Sequence, residues 1–410
     1  MRKISKLSLV AAVAVAGFST ANAQPLEEAI KNVDVSGSVV YRYDNFGDKE
    51  NSSYEHNKYK IGLNLTSKVN DYVKFNSRFL VAAPSASTGE FADLDAHADD
   101  NGDLNPEVTL SQANFAFTGI QNTTIIAGKQ GLATPWTVAV DMQGNEQNGT
   151  GILALSTVGP VTAGAGYFNQ TNLDKSGNIN GAQKITVGDL YGDKNLTTTD
   201  KLDGDKNIYV GTLQADLSPV KLEAWYLDLQ DTFDTYTLVA KANFVPSADS
   251  KIGLEARYVS LTLDDAVAQA LGTDKDNAMY RLAVTGNLGI FNAKVAYTGT
   301  DKDGGLTALD QDAENATLGW NITSNATADA DYWQGVLGVN ILDNLNLSAN
   351  YGHLKASDLD FKQEELYGQL TYKMSKNLST YLRYGTYEEN DSGAKVSDQN
   401  RGRLQISYTF

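Results

Sequence analysis

Cysteine is absent from this 410-residue chain, proline occurs 7 times and histidine 3 times. Without thiols there is no disulfide framework, zinc ribbon, cysteine nucleophile or lipidated-cysteine anchor. The chain also lacks the repeated apolar runs of about 20 residues that a polytopic helical membrane protein needs. Basic residues are in deficit, with 33 Lys and Arg against 50 Asp and Glu, a formal charge of -17. Such a chain repels phosphates, so no nucleic-acid partner is expected. What it has in quantity is Gly (36), Tyr (21) and Phe (13), an odd combination for a polar, acidic protein.

The first 23 residues, MRKISKLSLVAAVAVAGFSTANA, join three cations (Arg2, Lys3, Lys6) to an apolar stretch from Leu7 to Phe18 and a small-x-small ending at Ala23. This is the pattern of a cleaved secretory signal peptide, too short in its apolar part to serve as an anchor. The mature domain is then expected over 24–410, opening on PLEEAIKN, which could form a helical turn or two. At the other end, RLQISYTF alternates Leu404, Ile406, Tyr408 and Phe410 with polar residues. A terminal strand closing on Phe410 in an exported chain is like the sorting signal of bacterial outer-membrane barrels.

Between the ends, segments of roughly ten residues alternate apolar with polar, the mark of a strand with two unlike faces. They fall at 34–43, 57–67, 72–82, 107–118, 122–129, 149–158, 160–168, 207–217, 220–230, 234–244, 251–261, 277–288, 290–300, 329–341, 345–353, 361–372, 378–387 and 401–410. That makes about eighteen, an even count as bacterial single-chain barrels require. Short links (near Asn70, Ile120, Gly159, Pro219, Ser247, Gly289, Asn344 and Lys376) alternate with long ones at 44–56, 83–106, 130–148, 169–206, 262–276, 301–328 and 388–400. A soluble sandwich shows the same facial alternation. Export, the terminal Phe and the turn asymmetry instead predict an all-β, transmembrane antiparallel barrel in the outer membrane, contacting lipid and lipopolysaccharide, with short periplasmic turns and long outer loops.

Several stretches are familiar: PLEEAIKNVDVSGSVVYRYD, KYKIGLNL with VNDYVKFNSRF, IIAGKQ followed by PWT, and the final SYTF. They resemble the Campylobacter-type major outer membrane porin family. The resemblance implies a homotrimer of eighteen-stranded barrels, passive diffusion of small hydrophilic solutes and ions, and calcium near the constriction. Where relatives carry an Asp directly after the Trp-Thr pair, this chain has Val138, which leaves Asp141 as the candidate calcium ligand.

A barrel this wide holds water unless something fills it. The first strand begins about ten residues into the mature chain, which leaves no globular plug before it, so narrowing is expected from a loop folded inward. The segment 130–148 is the candidate, with Leu132, Trp136, Val138 and Val140 and only Asp141 and Glu146 as charges. Opposite it, the polar faces of the first three strands carry Arg42, Lys58, Lys60, Lys74 and Arg78. A basic wall facing loop carboxylates would set a transverse field across the bore, with Arg78, flanked by Lys60 and Lys74, opposite Asp141 and Glu146. The remaining outer loops (90–103, 200–207, 301–305) are acidic and predict a cation-attracting mouth, but none fits an EF-hand. The three histidines, His56, His97 and His353, belong to no sequence constellation that would support an enzyme. A substrate-selective channel of the same architecture is the alternative to a general pore, and these residues do not separate the two.

Overall fold

The computed structural model describes residues 33–82, 91–94, 107–141, 144, 146–173, 206–271 and 274–410. The signal sequence at 1–23 and the helical turn expected after it lie outside the described residues, as do most of 90–103 and of 200–207. The first strands are β1 (Val33–Asp48), β2 (Tyr54–Asn70), β3 (Val73–Ala82), β4 (Ala92–Asp93), β5 (Glu107–Phe117) and β6 (Thr123–Gly131). Next come β7 (Asn148–Val158), β8 (Val161–Thr171), β9 (Ile208–Asp216), β10 (Val220–Leu229), β11 (Phe233–Ser247) and β12 (Ser250–Leu263). After the short helix α1 (Asp265–Leu271) follow β13 (Asp276–Leu288), β14 (Phe291–Thr300), β15 (Ala330–Leu342), β16 (Leu345–Ala356), β17 (Phe361–Lys373), β18 (Leu378–Asp391) and β19 (Ala394–Thr409).

Apart from β4, each strand pairs antiparallel with its neighbours in sequence, and β1 closes the ring on β19 from Ser38↔Thr409 to Asp48↔Gln399. The result is a closed eighteen-stranded barrel, as the alternation predicts. The two residues of β4 add to the outer end of β2 through Lys58↔Asp93 and Tyr59↔Ala92.

Facial alternation has a definite sense. Leu282, Val284, Val295 and Leu366 are all more than half exposed, and Leu337 is 71% exposed. A soluble sandwich would bury that face; here it forms the outer surface, which only lipid can cover without cost. Toward the outer ends of the strands, aromatic residues touch one another around the wall, with Tyr167 on Tyr209, Tyr236 on Tyr258, and Tyr297 between Tyr280 and Trp333. Such girdles mark a membrane interface. At the opposite ends the turns are tight, and Asn122, Gly159 and Gly289 adopt positive φ there, which reverses the chain within a few residues.

Three connections depart from expectation. The segment 388–400 is not a long loop, because β18 and β19 continue past the aromatic level to a two-residue turn at Ser392 (φ 51) and Gly393 (φ 76). Positive φ at both positions is the geometry that matches strand twist in a hairpin. Beyond the membrane both faces meet water, so apolar alternation stops while the ladder goes on. In 262–276 the segment DAVAQAL forms α1, which buries Val267 and Ala268. Most consequentially, 301–329 does not stay in the mouth beyond its exposed start at 301–303. It folds into the barrel and buries Leu306, Thr307, Ala308, Leu309, Asn315 and Ile322.

The seam between the ends is tight. Gly37 N–H donates to Phe410 O at 2.9 Å, and Phe410 N–H donates back to Gly37 O at 3.1 Å. The Phe410 ring covers the spot where Gly37 has no side chain, since a Cβ there would sit 2.7 Å from ring carbon Cζ and press on Gly62 O. A Gly37→Leu variant should therefore lose on the order of 1–3 kcal/mol through overpacking. It should convert from the compact to the unfolded band at a lower temperature in semi-native gels, whereas Gly286→Ala, which meets nothing within 4 Å, should melt like the parent.

Candidate channel constriction

Two loops occupy the lumen, and their composition explains why they can. Residues 132–147 join β6 to β7 and carry Leu132 and Trp136; residues 301–329 join β14 to β15 and carry Leu306 and Leu309. These four side chains pack into one apolar cluster with Phe168, Leu227, Leu261 and Val267 from the wall and α1. Trp136 is fully buried. Its indole N–H donates to Thr235 Oγ1 at 3.0 Å, and the Thr235 hydroxyl donates onward to Ser260 O at 2.7 Å. Burial of a polar edge is affordable only with such a partner.

The loops are also stitched to each other through backbone groups that burial would otherwise orphan. Leu309 N–H donates to Trp136 O at 2.8 Å, and Asn315 N–H to Pro135 O at 2.9 Å. Gln147 completes the seam, with its amide nitrogen on Leu309 O at 2.7 Å and its amide oxygen accepting from Val138 N–H at 2.9 Å.

On the other side the loops meet a charged wall. Arg78 donates from Nε to both carboxylate oxygens of Glu146 (3.0 and 2.9 Å) and from Nη2 to Oε1 at 2.6 Å. Ser111 donates to Glu146 as well, and Asn64 accepts from Arg78 Nη1. Gly62 makes room for this fork, because any Cβ there would meet the guanidinium. Lys60 Nζ donates to the carbonyls of Asp141 and Gly144. Arg42 donates to Gln405 Oε1 at 3.0 Å and lies 4.0 Å over the Phe91 ring. Of the other cations predicted for this wall, Lys58 stands in the ladder opposite Arg42 and Asp93, and Lys74 is exposed opposite Lys68 toward the periplasmic turn. The structure thus joins Arg78 to Glu146 and Lys60 to the Asp141 backbone, with Lys74 away from both. Arg78, Lys60 and Glu146 are almost completely buried, so they fasten the loop rather than oppose it across open water.

The unforeseen residues lie in the second loop and on the late strands. Asp141 shares a cluster with Asp310 and Asp312, whose nearest carboxylate oxygens all lie within 4.8 Å of one another. Burial, and next the charge of Asp141, push the Asp312 carboxyl up to about 6, while Arg42, Arg403 and Lys60 pull it down. Farther along the same loop, Trp320 wedges among arginines of the wall, 5.0 Å from Arg383 and 5.1 Å from Arg401. Its backbone N–H and that of Asn321 both donate to Glu365 at 2.8 Å. On β12 and β13, Arg257 binds Asn315 at 2.8 Å as well as Glu314, while Arg281 holds Glu255 at 2.7 and 3.0 Å. The signal for these was present in the alternation, which already puts Glu255 and Arg257 on a polar face. For the loop it was a run without a single Lys or Arg from Gly304 to Asp329.

Removing either member of the Arg78–Glu146 pair leaves the other charged and buried, at a cost on the order of 3–5 kcal/mol. Arg78→Ala and Glu146→Ala should each free the first loop, with higher and noisier single-channel conductance in planar bilayers. A trace indistinguishable from the parent would mean that the pair does not hold the loop.

The fold is that of known outer-membrane barrels. Acinetobacter baumannii OccAB3 superposes with a TM-score of 0.72 at 14% identity, over 93% of this chain and 99% of its own. Pseudomonas aeruginosa OccK2 (OpdF) gives 0.70 at 14% identity, over 93% and 98%, and OccK1 (OpdK) gives 0.67 at 15%, over 92% and 98%. At such identities the likeness is one of architecture. No curated protein matches the chain. The profile of the Campylobacter major outer membrane protein family, however, matches residues 1–410. The chain therefore belongs to that family, as a non-enzymatic channel of the outer membrane.

Proposed function

We propose that the protein is a general diffusion porin, passing small hydrophilic solutes and ions through a water-filled bore with weak cation preference. The observation that carries this reading is the arrangement inside the barrel: two stitched loops narrow the lumen and hold Asp141, Asp310 and Asp312 within electrostatic reach of Arg42, Lys60 and Arg403. Opposed charges across a narrow wet passage order water and discourage apolar solutes without requiring a specific fit. Three acids gathered in the narrow passage favour cations over anions of equal size. Arg42, Lys58, Lys60, Arg78, Asp141 and Glu146 are the constriction residues of this reading, with Lys74 below them toward the periplasmic turn, and Phe410 is its terminal sorting residue.

The donor set also suits calcium. Three carboxylates from two loops supply the hard oxygens that this ion prefers over nitrogen or sulfur. Asp141, Asp310 and Asp312 would hold it, and the bound ion would supply fixed positive charge that locks the loops together. If so, millimolar calcium should raise the thermal midpoint of the parent and leave Asp141→Asn/Asp310→Asn unmoved.

A homotrimer is the assembly this reading takes. The wall at β3 and β5–β10 is the lowest, with strands of 9–11 residues against 16 or 17 in β1, β2 and β19. Its outward face bears small residues, Ala127, Ala154, Ala163 and Ala165. Lys129 stands on that face in register with Ala113 and Thr150, where direct lipid contact would be costly. A second copy packed there would cover it, and Ala154→Trp/Ala165→Trp should shift the detergent-solubilised species from trimer to monomer mass.

For transport, liposome swelling should grade sugars and amino acids by size alone, and a salt gradient should give a reversal potential of modest cation preference. One strongly preferred solute would instead make the channel substrate-selective, and an anion-preferring potential would overturn the assigned field.

A further inference from the structure

Beneath the second inner loop, on the periplasmic side of the constriction, lies a cavity of about 420 Å³ between the wall of β11–β15 and residues 311–318. This is within the range of small-ligand sites. Leu254 and Leu318 share its lining with Asn243 and Gln311, three cations (Lys241, Arg281 and Lys294) and two carboxylates (Glu255 and Asp312). The charges within it are not equally engaged. Glu255 is held by two N–H donors of Arg281 and approached by Arg257. Arg281 spends its remaining reach on Ala316 O and Thr317 Oγ1. Lys241 lies between Glu314 at 3.3 Å and Glu223 at 3.8 Å.

Lys294 is different. Among the described residues its ammonium makes no salt bridge, and its one hydrogen bond, 3.2 Å, goes to the neutral amide oxygen of Gln334. That amide is fixed, because Gln334 Nε2 donates to Leu318 O at 2.9 Å and to Tyr332 Oη at 3.1 Å. The oxygen is therefore the atom that faces Lys294. Of three ammonium donors, two are left for whatever enters the cavity. A charge in a narrow, partly desolvated recess gains more from an ionic partner than from an amide.

We infer that this recess is a subsite for the oxyanion group of a small solute, a carboxylate or a phosphate, held by Lys294 with Asn243 and Gln311 beside it. The inference rests on the diffusion reading, since solutes must reach the recess through the bore. It gives the channel a weak resting place for anionic solutes immediately below a cluster that favours cations. Such solutes should then pass more readily than the acid cluster alone would allow.

The test is a titration of open-channel current in planar bilayers at about 0.1 M KCl, where screening is modest. Sodium glutarate, inorganic phosphate or sorbitol is added on the side of the short turns. Conduction of KCl before any addition reports separately on the channel reading. The expected result is saturable current reduction by glutarate or phosphate, weakened roughly tenfold in Lys294→Gln and retained in Lys294→Arg. A response to one oxyanion only names which group the site takes. No saturable response, an equal response to sorbitol, or the same titration in Lys294→Gln as in the parent would overturn the subsite.

Discussion

The interior of this barrel depends on two loops satisfying each other's backbone. Eighteen strands enclose more space than their own side chains can fill, so chain must be brought in from outside, and every peptide group brought in needs a partner. The bonds from Leu309 to Trp136 and from Asn315 to Pro135 supply partners that neither loop has alone. Side chains finish the accounting. Asn325 Oδ1 accepts from both Thr307 and Ala308, and Glu365 accepts from Trp320 and Asn321. The two loops are one structural unit in consequence, and a change that loosens either one loosens the narrow part of the bore.

That unit is lopsided. Its largest apolar cluster lies toward β8–β12, where Trp136, Leu306 and Leu309 meet Leu227, Leu261 and α1, and this side is sealed by packing. Its three-aspartate cluster lies toward β1, β2 and β19, where Arg42, Lys60 and Arg403 bear on Asp312. Water and solutes are left the charged side. The net charge of -17 thus gives little guide to the bore itself, where basic wall residues and loop acids nearly balance over short distances.

Much of the wall was legible because lipid on one side and water on the other impose a two-residue period on every crossing. Strand positions such as 220–230, expected from alternation, differ from β10 by a single residue. Legibility ended where that asymmetry ends. Above the membrane β18 and β19 have water on both faces, so their extension past Tyr387 left no apolar trace. The fate of 301–329 was hidden for another reason. Acidic residues at its start suggested a solvated mouth, while its inward fold is signalled only by a missing class, the absence of cations after Lys302. Asp310 and Asp312 could not be placed beside Asp141 by any local pattern, since the contact joins positions about 170 residues apart.

Burial also sorts the charges by task. A bidentate pair such as Arg78 with Glu146, sealed from water, has its field largely cancelled within a few ångströms and gives the solute little to feel; what it gives is a fixed position for the loop. Charges that remain partly wet and imperfectly paired do act at a distance. Asp312, its carboxyl raised by burial and next by the charge of Asp141, and Lys294, bonded to an amide alone, belong to that second kind. Both line the same recess beneath the second loop, Asp312 from the loop and Lys294 from the wall. A solute crossing the narrows therefore meets both signs of charge within one short passage.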